Sequence, residues 1–175
     1  MPSTKDYKMI IPEQPKIASF PETSKVWVYQ SDREFSLEEQ DYISEKLYTF
    51  ISGWESHGRK LTGTFEIRFN RFIILAVDES ISDASGCSID KSVVIIREIA
   101  SQTGTNLLDR SLVAYKNASS PIHIVKFNEV STAIKQGIIT KETLIYNNTI
   151  SSLQELQMNW EIPAKNSWAS RFFNN

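Results

Sequence analysis

The alternation of hydrophobic and polar residues predicts three β-strands in the first half of the chain. Residues 61–69 alternate between apolar or glycine positions and polar ones, which predicts a strand with one buried face and one wet face. Residues 72–77, Phe-Ile-Ile-Leu-Ala-Val, are continuously apolar, which is typical of an interior strand covered on both faces. Val26–Tyr29 is a shorter run of β-prone residues. The three segments together predict a sheet that has residues 72–77 in its interior.

Two helices are predicted between and after these strands. Ser36-Leu-Glu-Glu39 matches a capping box, in which the serine and glutamate side chains accept hydrogen bonds from each other's backbone N–H groups. The helix that follows ends at Gly53, and its inner face is formed by Ile43, Leu47, Phe50, Ile51 and Trp54. A second helix is predicted to begin near Ile89, with Ser88 as its N-cap, and to end at Gly104. Its inner face is predicted to be Ile89, Val93, Ile96 and Ala100.

With a closing strand at Leu112–Tyr115, the order of the elements is β-α-β-β-α-β. This order predicts an α+β protein with a ferredoxin-like core. Later segments predict a strand-helix-strand extension and then an aromatic tail that packs on the domain; the extension is Ile122–Val125, a helix from Asn128 to Gln136, and Thr143–Tyr146. We therefore divide the chain into an irregular arm at residues 1–24 and one domain at residues 25–175, with the core at 25–116 and the extension at 117–175.

The composition narrows the class of protein. The 175 residues include 19 basic and 21 acidic side chains, scattered along the chain, which argues against binding duplex nucleic acid through charge. No stretch has the length and apolarity of a membrane helix, and the first residues lack the apolar run of a signal peptide. We therefore expect a cytoplasmic protein without membrane contact. With one cysteine and two histidines, we expect no disulfide, no metal site and no cofactor.

One end of the predicted core contains the residue types that a thiol enzyme needs. In a ferredoxin-like core, three segments lie at the same end: the loop after the first helix, the loop after the third strand and the start of the second helix. They carry His57, the carboxylates Asp78 and Glu79, and Cys87. A cysteine at a helix start, deprotonated by a histidine that a carboxylate orients, would be an activated nucleophile. The same side-chain types also bind divalent metals, which is the less favoured interpretation.

The turn at residues 86–88 has two simpler interpretations. Backbone N–H groups at a helix start attract anions, and glycine lets the backbone approach a ligand closely. Gly86, Cys87 and Ser88 are therefore the candidate residues of a site for a small anion. Alternatively, Cys87 is a small buried residue in a tight turn, which would leave its thiol inert.

Several motifs carry a resemblance to a known family. They are Val26-Trp-Val-Tyr-Gln30, Gly53-Trp-Glu-Ser-His-Gly58, Val77-Asp-Glu79, Ala84-Ser-Gly-Cys-Ser-Ile-Asp90, and Trp160-Glu-Ile-Pro163 with Ser167-Trp168. Together they resemble an uncharacterised family of small bacterial proteins often labelled "ABC transporter ATPase", over about residues 25–173. That family has no established activity, ligand or catalytic residue, so the resemblance implies none here. Because a P-loop requires G-x-x-x-x-G-K-[ST] and no glycine here precedes lysine, we do not expect an ATPase.

Two functions from different classes remain. We favour a non-catalytic module that binds a small anionic ligand, a protein or a second copy of itself as a homodimer, because this requires only the predicted fold. A dimer interface, like the aromatic tail, would also explain why residues 72–77 are apolar on both faces. The alternative is a small cysteine-dependent enzyme or thiol sensor that uses Cys87 with His57 and either Asp78 or Glu79.

Overall fold

The structure is a computed structural model and describes residues 11–174. The first ten positions of the predicted arm and the last position of the predicted extension lie outside the described residues. Within 11–174 there are nine strands and four α-helices: β1 Lys25–Gln30, α1 Leu37–Ser52, β2 Glu55–Ser56, β3 Arg59–Lys60, β4 Thr62–Arg68, β5 Phe72–Asp78, α2 Gly86–Thr103, β6 Leu112–Lys116, β7 His123–Lys126, α3 Val130–Lys135, β8 Leu144–Tyr146, α4 Leu153–Met158 and β9 Glu161–Pro163.

The central sheet has the order β1-β5-β4, and both pairings are antiparallel. Residues 72–77 of β5 are fully buried, so the prediction of an interior strand is confirmed. The helices α1 and α2 cover one face of this sheet and form the first core with it, around Leu47, Trp54, Leu75 and Ile96. The predicted capping box at the start of α1 is also confirmed, with Ser36 and Glu39 each accepting from the other's backbone N–H. The chain is therefore a mixed α+β protein, as predicted.

The predicted fourth strand of a ferredoxin-like sheet does not join the central sheet. Instead, β6 pairs with β7 and β8 in a second antiparallel sheet of order β7-β6-β8-β9. Val113, Ala114 and Tyr115 of β6 are all buried, which explains why the sequence predicts a strand. An apolar run shows that a strand is covered, but it does not identify the strand's neighbour in the sheet. The ferredoxin-like arrangement is therefore not confirmed, because the central sheet has three strands and β6 lies in the second sheet.

The second sheet covers the face of the central sheet that lies opposite the two long helices. Aromatic rings join the two sheets, because Phe72 of β5 lies 5.0 Å from both Tyr146 and Trp160. Ile17, from the segment before β1, packs into the same cluster and is only 2% exposed. The C-terminal extension thus covers the second face of the central sheet, which explains why β5 is buried on both of its faces.

The extension contains elements that the sequence pattern predicts and two that it does not. The predicted strands and helix appear as β7, as a 3-10 turn at Phe127–Glu129 followed by α3, and as β8. The pattern misses α4 and β9, because six and three residues are too few to show a periodicity. The aromatic tail forms two 3-10 turns, Ala164–Asn166 and Trp168–Phe172, and packs on β6, β8 and α3.

Candidate functional site

The helix that carries Cys87 begins three residues earlier than predicted. Its N-cap is Ser85, whose side chain accepts from the backbone N–H of Ser88, and Gly86 is its first residue. The sequence does not distinguish the two serines, because both residues suit an N-cap. The buried residues of α2 are Ser88, Ser92, Ile96, Ile99 and Thr103. Of the predicted inner face, Ile96 is buried, and Ile89 and Ala100 are half-buried and pack against the first core.

This shift places Cys87 in the first helical turn with its side chain in solvent. The interpretation of Cys87 as a buried residue is therefore wrong. Ser88, in contrast, is only 1% exposed, and its hydroxyl donates to the Ser85 carbonyl at 2.7 Å. Both the amide and the hydroxyl of Ser88 are thus used inside the helix cap. Of the three candidate anion-binding residues, Gly86 and Cys87 face solvent, and their binding of an anion stays a prediction.

The loops predicted to lie at one end of the core do meet around the start of α2. The backbone N–H of Ser85 donates to the Ser56 hydroxyl at 3.2 Å, which holds the β2–β3 hairpin against the helix start. The carboxylate of Glu79 accepts from the backbone N–H of Ala84 at 2.8 Å and forms an ion pair with Lys25 at 3.0 Å. The loops after α1 and after β5 therefore meet the first turn of α2 at one end of the molecule.

The side chains of the predicted catalytic group do not bond to one another. His57 is exposed in the turn of the hairpin, where it has φ of +51° and Gly58 has φ of +75°. Asp78 accepts from the backbone N–H of Ser80 at 2.9 Å, a contact that shapes its own loop. Within residues 11–174, neither the Cys87 thiol nor the His57 imidazole makes a hydrogen bond. A catalytic role for Cys87, His57, Asp78 and Glu79 stays a prediction, and the described part of the chain contains no cluster of three residues suited to hold a metal ion.

A different feature, which the sequence analysis did not single out, is the outer edge of β4. This seven-residue strand pairs with β5 on one side, and no described strand pairs with its other side. A groove of about 540 Å³ runs between this edge and the first two turns of α1. Its lining combines apolar and polar side chains: Phe65, Glu66 and Ile67 from β4, and Leu37, Gln40, Asp41 and Ser44 from α1. Leu37 is 80% exposed, so an apolar side chain stands in water at the rim.

The polar side chains of β4 leave this edge without net charge. Arg68 forms a two-point ion pair with Glu66, with its Nε 2.7 Å and its Nη2 3.2 Å from the carboxylate oxygens. The Arg68 guanidinium also lies 5.5 Å from the centre of the Trp160 ring. Thr64 donates to the carbonyl of Pro15 at 2.6 Å, so the segment before β1 crosses one face of β4. Thr64, Glu66 and Arg68 on that face thus have partners within the chain.

Comparison with protein-family models, with curated proteins and with solved structures finds no match to this chain. The family resemblance of the motifs therefore stays a prediction. Over residues 11–174, none of the helices combines the length and the apolarity needed to cross a bilayer.

Proposed function

We propose that this protein is a non-catalytic binding module whose site is the free edge of β4 together with the groove beside α1. The observation that supports the proposal is a seven-residue strand, unpaired on one side by the described residues, with the 80% exposed side chain of Leu37 beside it. An unpaired edge presents a row of N–H and C=O groups that can bind an extended segment of a partner.

The side chains beside the edge would give such an interaction its specificity. Side chains of an added strand alternate between the two faces of the sheet, so every second one would lie in the groove against Phe65, Ile67 and Leu37. Burial of apolar side chains in this groove favours binding by about 25 cal/mol per Å² removed from water, before the cost of ordering the partner. We therefore expect a partner segment with an apolar residue at alternate positions.

Proteins that do not use a sheet edge usually protect it with a short strand, a proline, a bulge or an unpaired charge. The outer strands of the second sheet follow this rule, since β7 has four residues and ends in Lys126, and β9 has three and ends in Pro163. In contrast, β4 has seven residues without proline, and Arg68 neutralises its one carboxylate. The difference supports a binding role for β4.

The proposal is tested with a phage-displayed library of extended peptides selected on the whole protein. Peptides that bind the wild type should bind the Leu37→Lys and Ile67→Lys variants at least about tenfold more weakly, because each lysine places a charge in the groove. Met158→Lys is the matched control, because Met158 is 68% exposed and lies on α4, which contacts β1.

Each variant is first checked for native circular dichroism and thermal unfolding. Selected peptides that bind Leu37→Lys and Ile67→Lys as tightly as they bind the wild type would show that the site is elsewhere. Failure to select any peptide that distinguishes the wild type from these variants would also contradict the proposal.

A further inference from the structure

We infer that the partner on β4 is a second copy of this chain, paired antiparallel through β4 about a two-fold axis at Phe65. This inference rests on the proposed function and names its partner. The result would be a six-stranded sheet of order β1-β5-β4-β4-β5-β1. Because a two-fold axis perpendicular to the sheet keeps each face on its own side, the helices α1 and α2 of both copies would cover the same face.

The sequence of β4 is complementary to itself in this register. All seven residues of Thr62–Arg68 would pair, with Phe65 opposite Phe65 of the second copy and Gly63 opposite Ile67 of the second copy. An added Cβ at Gly63 would lie 3.3 Å from the Trp54 ring, so this ring already covers Gly63. The Ile67 side chain of the second copy would therefore lie beside the Trp54 ring. The two Phe65 side chains would form an aromatic cross-strand pair at the centre, which stabilises the pairing.

Charge selects this register among the two-fold alternatives. An axis at Glu66 would place the two Glu66 carboxylates directly opposite each other, and an axis at Thr64 would place Lys60 opposite Arg68. Like charges in such positions are destabilising. The axis at Phe65 instead places Glu66 opposite Thr64 and Arg68 opposite Thr62. Each Glu66 keeps its ion pair with Arg68 of its own chain, so the two edges meet without net charge.

An axis at Ile67, two residues beyond Phe65, is disfavoured by the backbone. It would pair only residues 66–68 within the strands, because Phe69 and Asn70 leave the strand with φ of +52° each. Phe69 also packs on Trp160 at 6.0 Å, on the face opposite the groove. The Phe65 axis thus combines the longest pairing with the fewest charge conflicts, and it places the groove that Leu37 lines beside the new strand pair in both copies.

Sedimentation equilibrium of the full chain over a range of concentrations tests the inference. The wild type should show a reversible monomer–dimer equilibrium, and Leu37→Lys should weaken dimerisation at least about tenfold, with Ile67→Lys as the second variant. Met158→Lys should dimerise like the wild type. Leu37 is 80% exposed, so its substitution leaves the folded monomer intact.

Disulfide formation in a Cys87→Ser background tests the register. Residues directly opposite each other have Cβ atoms about 4.5–5.5 Å apart, close to the separation in a disulfide. Phe65→Cys should therefore form a disulfide-linked dimer on its own. Thr62→Cys and Arg68→Cys should not link to themselves but should link to each other when the two variants are mixed.

Three results would overturn the inference. The first is a wild type that stays monomeric at every concentration; the proposed function would then stand if the selected peptides still distinguish Leu37→Lys, and would fall with the inference if they do not. The second is a dimer that neither Leu37→Lys nor Ile67→Lys weakens and that Phe65→Cys does not link. The third is dimerisation only after removal of residues 1–10, which would make β4 a site for another segment of the same chain.

Discussion

The two edges of the central sheet differ in what lies beside them. Along β1, the backbone N–H of Val26 donates to the Ser151 carbonyl at 3.0 Å, and Lys25 forms a bridge with Ser152. At the other end of β1, the Gln30 side chain donates to the Leu112 carbonyl at 3.3 Å. Along β4, no described residue makes such backbone contacts on the outer side.

The difference shows that the protection of an edge can come from distant parts of the chain as well as from the strand itself. Both β1 and β4 are apolar enough to form strands, yet the groups that close β1 lie more than eighty positions further along the chain. The C-terminal extension closes one edge and one face, and it leaves β4 as the longest unprotected strand among residues 11–174. Among residues 11–174, the central sheet therefore has one edge, β1, that contacts the C-terminal extension and one edge, β4, that makes no such backbone contacts on its outer side.

The largest effect is expected where the extension covers the central sheet. Trp160 is 1% exposed and packs against Phe72, so Trp160→Ala should lower the free energy of unfolding by about 3–5 kcal/mol. Urea denaturation followed by circular dichroism measures this value. Trp168→Ala, at a half-buried position in the tail, is the matched control and should cost clearly less. An equal, small loss for both would mean that the extension does not stabilise the sheet.

The next effect concerns the polar link at the end of β1. Gln30 is 6% exposed; it accepts from Asn148 at 2.7 Å, and Asn148 in turn accepts from the Trp160 indole N–H at 3.0 Å. Gln30→Ala leaves the Asn148 amide and the Leu112 carbonyl without their partner, which should cost roughly 2 kcal/mol. The exposed Gln157→Ala should have almost no effect in the same urea titration. Equal losses for Gln30→Ala and Gln157→Ala would contradict the conclusion that residues from later in the chain close the outer edge of β1.

A smaller effect, which depends on pH, is expected just beyond β1. Hydrogen bonds from the Arg33 guanidinium and the backbone N–H of Ser36 lower the pKa of Glu39 from 4.5 to about 2. Arg33 also donates to the Thr103 carbonyl, which ties the loop to the end of α2. Because the folded pKa lies below the unfolded one, the stabilisation is present above pH 4.5 and is lost as the pH falls toward 2.

Glu39→Gln should therefore lower the free energy of unfolding by about 0.5–1 kcal/mol at neutral pH, and by progressively less as the pH falls from 4.5 to 2. Denaturation curves of variant and wild type at several pH values measure the difference. The exposed Glu38→Gln is the control. A difference that does not change with pH would show that the ion pair has no stabilising role.

The smallest change in stability is expected at the open edge. Leu37→Lys should alter the free energy of unfolding by less than about 0.5 kcal/mol, because the side chain is already 80% exposed. A loss above 1 kcal/mol in dilute solution would mean that Leu37 packs within its own chain. The same substitution is expected to weaken association, so a variant of unchanged stability separates binding from folding.

The sequence predicts the features that depend on neighbouring residues. The capping box at Ser36 and Glu39 and the left-handed end of α2 at Gly104 are both found, because each is determined within a few positions. The interior position of residues 72–77 is also found, because continuous apolarity requires two covers.

The features that depend on distant residues are predicted less well. Nothing in the pattern of Leu112–Lys116 indicates which sheet it joins, and the short α4 and β9 leave no periodicity. At the candidate site, topology brings the hairpin and the start of α2 together, as predicted, but the sequence does not determine where individual side chains point. It also assigns the N-cap to the wrong one of two serines, and it misses the buried polar residues Ser88, Ser92 and Thr103 of α2 because the predicted face uses apolar positions alone.

Residue-resolved amide hydrogen exchange, at low and at high protein concentration, compares the two edges directly. At low concentration, alternate amides of β4 should exchange fast, while the Val26 amide of β1, which donates to the Ser151 carbonyl, stays protected. At high concentration, the β4 amides should become protected and the Val26 amide should not change. Equal protection of the β4 amides and of Val26 at every concentration would show that the β4 edge is already closed and that it is not the binding site.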